Sequence, residues 1–173
     1  MPTISRLSAK ELLTSAKELA DLLVDAVESG SSLGFLSPFG HDAAAAWWED
    51  LAPAVAEGRL LIWAARSGGR LTGTVTLAPE GKPNGRHRAQ IAKLIVHRQA
   101  RGQGLGRELL AVAEQAAAEA GVRLLLLDTE AGGPAERLYR SAGWTEMAVV
   151  PDYAADPAGV LQPCTFFYKS LGK

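Results

Sequence analysis

A chain of 173 residues has room for one hydrophobic core and not for two, so a single domain over residues 1–173 is expected. Its 47% hydrophobic content and net charge of −1 place it with soluble globular proteins and against general nucleic-acid binders, which carry a marked basic excess. The lone cysteine, Cys164, excludes an internal disulfide and a cysteine-rich zinc site, and without a leader-like segment or a membrane-length apolar run a cytoplasmic protein is expected.

In chain order, Thr3 to Leu7 reads as a short strand. Ser8 with Glu11 matches a capping box. Leu12, Ala16, Leu19, Leu23 and Val27 then recur at helical spacing up to a stop at Gly30. "SSLGFLSPFGHD" is a loop that exposes Phe35 and Phe39. Asp42 is placed to cap a second helix carrying Trp47, Trp48 and Leu51, which Pro53 kinks or divides before Gly58.

"LLIWAAR" and "RLTGTVTLAP", joined by a short glycine turn, predict a β-hairpin. "EGKPNG" is a loop and "HRAQIAKLIVH" a third long strand. A helix is predicted from about Gly104 to Ala120, with an apolar stripe of Leu105, Leu109, Val112, Ala116 and Ala120. "VRLLLLD" is an apolar run suited to a strand buried on both faces. "GGPAERLYRSAG" reads as a short helix with Pro134 in its first turn and Gly143 after its last. "WTEMAVV" is a strand, "PDYAADPAGVLQP" a loop and "CTFFYKSL" a final strand. The order β-α-α-β-β-β-α-β-α-β-β implies a mixed α/β fold, a mostly antiparallel sheet flanked by helices with one crossover in the middle.

The most informative stretch is "RQARGQGLGREL", Arg98 to Leu109. Three glycines alternate at Gly102, Gly104 and Gly106, with Arg98, Arg101 and Arg107 around them, between a strand and a helix. No segment supplies G-x-x-x-x-G-K-[ST], and the dinucleotide pattern G-x-G-x-x-G fails because Arg107 stands where its third glycine should be. What remains has the form R-x-x-G-x-G. Bare backbone lets a ligand approach, and successive N–H groups at a helix start favour an anion, a pyrophosphate above all.

R-x-x-G-x-G after "KLIV", followed by a short helix containing "AERLYRSAGW", resembles the GNAT superfamily of N-acetyltransferases, whose fold matches the predicted element order over nearly the whole chain. From about Arg70 onward, "NGRHRAQIAKLIV", "RGQGLG", "LLLDTEAG", "PDYAADPAG" and "FFYKSLG" resemble the tabtoxin-resistance acetyltransferases of bacteria. The resemblance implies acetyl-CoA as co-substrate, lying between the "IAKLIVH" and "RLLLLD" strands. Backbone groups of Leu94, Ile95 and Val96 would bond its pantetheine arm as an added strand. Arg101, Gly102, Gln103, Gly104, Leu105 and Gly106 would hold the pyrophosphate, with Arg107 beside them.

The same resemblance makes Tyr139 the general acid for the departing thiolate. The family position for a carboxylate base on the long strand is occupied by Gln90, which cannot take a proton, so Asp128 is the candidate base. Glu130 reads as a solvated loop charge, and His87 and His97 as flanking groups able to relay a proton through water. Phe35, Phe39, Trp47 and Trp48 are candidate walls of an acceptor pocket, the tryptophans also fitting a core. Gln90, Asp152 and Tyr153 complete the acceptor side, Asp152 as an attraction for an ammonium group.

The expected activity is acetyl-CoA-dependent N-acetylation of a primary amine on a small molecule, by direct attack in a ternary complex. The acceptors implied by the closer resemblance are tabtoxinine-β-lactam-like or aminoglycoside-like antibiotics. Cys164 opens a strand with no His–acid motif nearby and is no acyl carrier. Acetylation of a protein or peptide amine, and a non-catalytic acetyl-CoA sensor, are the alternatives. No metal is expected, since no H-E-x-x-H or paired-cysteine spacing occurs. No nucleic acid or membrane partner is implied, and the chain is expected as a monomer or homodimer.

Overall fold

The computed structural model describes residues 1–172. Its seven strands form one sheet: β1 (Thr3–Arg6), β2 (Leu61–Ser67), β3 (Arg70–Pro79), β4 (Arg88–Val96), β5 (Leu124–Glu130), β6 (Thr145–Ala155) and β7 (Leu161–Ser170). They lie in the order β1-β2-β3-β4-β5-β7-β6, and every neighbouring pair is antiparallel except β4–β5. That parallel pair is the one that needs a crossover, supplied by α4 (Leu105–Glu119). The fold is thus mixed α/β with a mostly antiparallel sheet, as expected.

Helix α1 (Ala9–Glu28) starts where its capping box predicts. The Ser8 hydroxyl accepts from the Glu11 N–H at 3.1 Å and the Glu11 carboxylate accepts from the Ser8 N–H at 2.7 Å. Pro53 does divide the next helical stretch, into α2 (His41–Glu49) and α3 (Ala52–Ala56), but α2 is capped at Gly40 and Asp42 lies inside its first turn. Helix α5 (Pro134–Ser141) carries Pro134 at its start.

Helices cover both faces of the sheet, and the period-two alternation of the strands sorts two cores. Ile62 and Ala64 of β2 pack with Leu12, Leu19, Leu23 and Trp48 of α1 and α2. Trp63 and Ala65 turn the other way, to Leu105, Leu109, Leu110, Tyr139, Trp144 and Phe167 around α4 and α5. The buried face of α4 is Leu105, Leu109, Leu110, Ala113 and Ala117. The predicted stripe was rotated, with Val112 and Ala116 at its margin and Ala120 exposed.

Strand β4 contributes to both cores through a β-bulge. Thr74 pairs with Ile95 and Thr76 with Ala92, so Lys93 and Leu94 together oppose Val75. The extra residue flips the strand's faces. Ile91 packs under α4 whereas Ile95, four residues on, packs under α1. Lys93 absorbs the bulge with a left-handed φ of 51°.

Three strand bounds differ from expectation. The strand β5 runs on to Glu130, so Glu130 is a strand residue and not a loop charge. Its leucines alternate, Leu125 and Leu127 being more deeply buried than Leu124 and Leu126. The segment read as a loop after Val150 is divided: its first five residues, through Ala155, belong to β6, its last three, from Leu161, to β7, and only the stretch between them is a turn. Pairing lapses between Val150 and Ala154, then resumes at Ala154↔Gln162 and Ala155↔Leu161. As the outermost strand, β6 tolerates a proline at 151 and an Asp152 with φ of 53° that an inner strand would reject. Asp156 closes the hairpin by accepting from Ala158 and Val160 N–H groups, each at 3.0 Å.

Candidate active site

Strands β4 and β5 pair only over Arg88–Gln90 and Leu124–Leu126. Beyond that point they splay, β4 staying with β3 and β5 with β7. The result is a wedge in the middle of the sheet. At its mouth lies a cavity of about 310 Å³, walled by Gln90 to Lys93 of β4, Asp128 to Glu130 of β5, Tyr153 and Ala154 of β6, Gln162 to Cys164 of β7 and Ser32 to Gly34 of the α1–α2 loop.

Asp128 is exposed to this cavity, and its Oδ2 accepts a hydrogen bond from the Cys164 thiol at 3.4 Å. Burial, with the Asp128 charge and that bond, pushes the Cys164 thiol up to about 12, so the sulfur stays protonated and unreactive. Glu130 lies two residues from Asp128 on the same strand. It is the carboxyl whose pKa is raised, by burial first and then by the charge of Asp156.

Tyr139 is 6% exposed, with its ring 6.0 Å from that of Trp144 and 5.9 Å from that of Phe167. Desolvation, reinforced by the Asp128 charge, holds its phenol well above the ordinary range. It does not line the cavity but lies behind it, among the core residues under α5.

Of the residues expected on the acceptor side, Gln90 and Tyr153 line the cavity, whereas Phe35, Phe39, Trp47 and Asp152 do not. The aromatic residues sit one layer out. Phe35 stacks on Phe39 at 4.4 Å and meets Trp47 edge-on at 5.3 Å, while Trp48 is wholly buried core. Phe35 and Phe39 are half-buried, not exposed. His87 and His97 are outside the cavity. His97 lies 3.7 Å from Asp25 of α1.

Sequence reasoning passed over Lys93. Its ammonium lies 5.4 Å from the Trp47 ring centre and 5.9 Å from that of Phe35, on the β4 wall opposite Asp128. Burial lowers its pKa and the Asp128 charge acts the other way. The overlooked signal was a charge inside the otherwise apolar run "IAKLIV".

The glycine loop runs from a 3-10 turn, Arg98–Ala100, into α4. Gly102 has a φ of 76° and Gly104 one of 86°, left-handed values that favour glycine, so these two are required by the turn itself. Gly106 is inside the helix, where an added Cβ would stand 3.4 Å from Leu138 of α5, so it serves close packing. The three arginines are engaged with protein atoms. Arg98 donates to the Asp25 carboxylate, Arg101 Nε to the Val96 carbonyl at 3.0 Å, and Arg107 to the Ser141 hydroxyl. What the loop offers an anion is therefore chiefly backbone: the first N–H groups of α4, whose carbonyl partners begin only with Glu108 bonding Gly104.

The wedge and the loop fit a long ligand with a pyrophosphate. Beyond Gln90, β4 has no β5 partner, which leaves an edge at Leu94 and Ile95 leading to the start of α4. At Val96 the carbonyl is already taken by Arg101. Among the described residues, no helix is long and apolar enough to cross a membrane.

Comparison with known proteins bears directly on this arrangement. The sequence model of the acetyltransferase (GNAT) family matches residues 17–144. An N-acetyltransferase from Staphylococcus aureus Mu50 superposes with a TM-score of 0.81 at 17% identity, over 99% of each chain. A ribosomal-protein-alanine N-acetyltransferase from Brucella melitensis is 25% identical with a TM-score of 0.77, over 98% of this chain and 99% of its own. The yncA protein of Salmonella typhimurium, solved with its cofactor acetyl-CoA, gives 0.78 at 20% identity over 100% and 95%.

Proposed function

Because the chain belongs to the acetyltransferase (GNAT) family, and is thereby an acyltransferase, we propose that it moves the acetyl group of acetyl-CoA onto a primary amine of a small molecule held in the wedge cavity. The observation that carries the acceptor class is the cavity. Its volume of about 310 Å³ is at the lower end of small-ligand sites (roughly 300 to 1,000 Å³), and two carboxylates share one wall.

Acetyl-CoA brings the activated acetyl group. Backbone of Leu94 and Ile95, with Val96 at the end of that edge, orients its arm, and the loop from Arg101 through Gly102, Gln103, Gly104, Leu105 and Gly106 to Arg107 seats its pyrophosphate. An amine arrives as an ammonium and must lose a proton before it can attack. The Asp128–Glu130 pair receives that proton, Asp128 from the more open position. Gln90, unable to take it, contributes an amide to the wall. Tyr139 carries a proton that burial keeps in place and delivers it to the departing thiolate. Attack is direct, in a ternary complex, since the Cys164 thiol is held protonated.

The sequence resemblance to tabtoxin-resistance enzymes points within this class to an antibiotic or toxin amine, tabtoxinine-β-lactam-like or aminoglycoside-like. A peptide amine is the second reading, favoured by the 25% identity to the Brucella protein named for a ribosomal-protein alanine.

Thiol release from acetyl-CoA tests both, using β-lactam amino acids, aminoglycosides, polyamines, free amino acids and short peptides. Turnover is expected with a small-molecule class and not with peptides. Tyr139→Phe should lower kcat by about 10²- to 10⁴-fold while acetyl-CoA binding, read by calorimetry, stays unchanged. Turnover by peptides alone selects the second reading. No turnover by any amine, with acetyl-CoA bound, overturns both.

A further inference from the structure

Among the described residues, Lys93 is the one cation on the wall of the cavity. Its backbone is held in the left-handed region, a conformation unfavourable for a non-glycine residue that persists only where the surroundings impose it. Here the β-bulge imposes it, and Lys93 is among the residues that wall the cavity. The ammonium rests near the rings of Phe35 and Trp47. Ring faces attract a cation but accept no conventional hydrogen bond. Among the described residues, no carboxylate stands within ion-pair distance of it and no side-chain hydrogen bond engages it. Half-buried Lys93 thus lines the β4 side of the cavity, and Asp128 and Glu130 line its β5 side. The cavity is dipolar across its width.

We propose that Lys93 is a specificity-determining residue that binds a carboxylate of the acceptor, so that the acceptor is of the amino-acid class: its amine faces Asp128 and Glu130 and its carboxylate closes on Lys93. This rests on the reading of the wedge cavity as the acceptor site. An arriving carboxylate supplies the acceptor that the aromatic rings cannot, in a charge-assisted bond. An amine without the anion leaves that ammonium facing an empty wall, and a polar group left unpaired in a closed site is what gives a site its power to reject. Phe35 and Trp47 thereby enter the site indirectly, as the rings the cation rests near, with Phe39 stacked on Phe35.

The test uses matched probes that differ only in the carboxylate: lysine and cadaverine, ornithine and putrescine, alanine and ethylamine. The wild type should favour the carboxylate member of at least one pair by about tenfold or more in kcat/KM. Lys93→Met should erase that preference by raising KM for the carboxylate member, leave the decarboxylated member near its wild-type value, and keep kcat within a fewfold. Lys93→Arg should restore part of the preference. A second arm does not depend on turnover. In lysine-labelled protein, the ¹⁵Nζ resonance missing from Lys93→Arg identifies Lys93. It should move on titration with the amino-carboxylates and stay put with their decarboxylated partners.

Equal kcat/KM within every pair overturns the proposal while the acetyltransferase reading stands. So does a Lys93→Met variant that lowers both members alike, the signature of a cation that only braces the aromatic loop. Absence of turnover for every probe with acetyl-CoA bound counts against the small-amine reading, and the resonance then decides the proposal alone: no movement with any amino-carboxylate overturns it.

Discussion

Asp128 and Glu130 are two residues apart on β5 and so share a face of the strand, yet their surroundings divide them. Asp128 is open and receives a thiol hydrogen bond, whereas Glu130 is partly desolvated and close to the negative charge of Asp156. A base must be deprotonated to act, so a raised pKa at Glu130 moves the acid limb of kcat/KM toward higher pH. Glu130→Gln should shift that limb to lower pH. Asp128→Asn should depress the rate across the whole range. Stability gives an independent reading. The folded state holds the Glu130 proton more tightly than the unfolded chain, so its contribution to stability falls as pH rises from 4.5 through the raised folded value. Glu130→Gln should therefore melt slightly higher than wild type at pH 8, by about a degree, and show no gain near pH 4. An unchanged acid limb removes Glu130 from the proton path. None of this division was legible in the sequence, because "LLLLDTE" does not say where the strand ends or that Asp156, in a later hairpin, comes to rest near Glu130. Lys93 was hidden for a related reason. A strand read by alternation puts it on a face, and only the bulge decides which.

At the scale of elements, the glycine loop is pinned from the opposite side of the sheet. Asp25 of α1 is buried and accepts the backbone N–H of Arg98 at 3.0 Å and its guanidinium, with the Asp25 carbonyl accepting from the same group at 3.3 Å. Burial is the largest influence on its pKa and pushes upward. The hydrogen bonds from Arg98 and the charges of His97 and Arg98 together outweigh it and hold the carboxyl below the usual range. The stabilisation is thus present above pH 3.8 and lost as pH falls through the depressed folded value. Asp25→Asn should destabilise the fold by about 1–3 kcal/mol at pH 7 in denaturant melts, the gap closing in strong acid. If the gap persists there, packing rather than charge explains it. The helices and inner strands were readable because capping, apolar spacing and glycine stops all agreed, as at Ser8 and Glu11. In the outer hairpin the two strands were readable and their extension toward the turn was not. Pro151 and Asp152 are turn-forming residues, and an edge strand with one partner can keep them within a bulge, where local sequence signals point to a loop.

Over the whole molecule, the sheet is complete except where β4 and β5 part, and both helical layers converge on that gap. Helix α4 starts beside it, α5 places Tyr139 behind it, and the α1–α2 loop closes one side of the cavity. A ligand lying in the wedge would replace missing strand pairing and so stabilise the native state by mass action. At one hundred times its Kd, acetyl-CoA contributes about 2.7 kcal/mol. For a chain of 173 residues, at about 2–4 °C per kcal/mol, that is a rise in Tm of roughly 5–11 °C. Gly104→Val separates this from a general effect on folding. No atom lies within 4 Å of an added Cβ there, so the strain of the substitution enters through its left-handed φ. It should lower the Tm of the free protein by about 2–8 °C, from a conformational cost of roughly 1–2 kcal/mol. It should also cut the acetyl-CoA-induced rise to less than half, because the N–H groups at the start of α4 lose their aim. Tyr139→Phe, which leaves that backbone untouched, should keep the full rise despite its lost turnover. Equal rises in all three proteins would show that the pyrophosphate is held elsewhere than at the glycine loop.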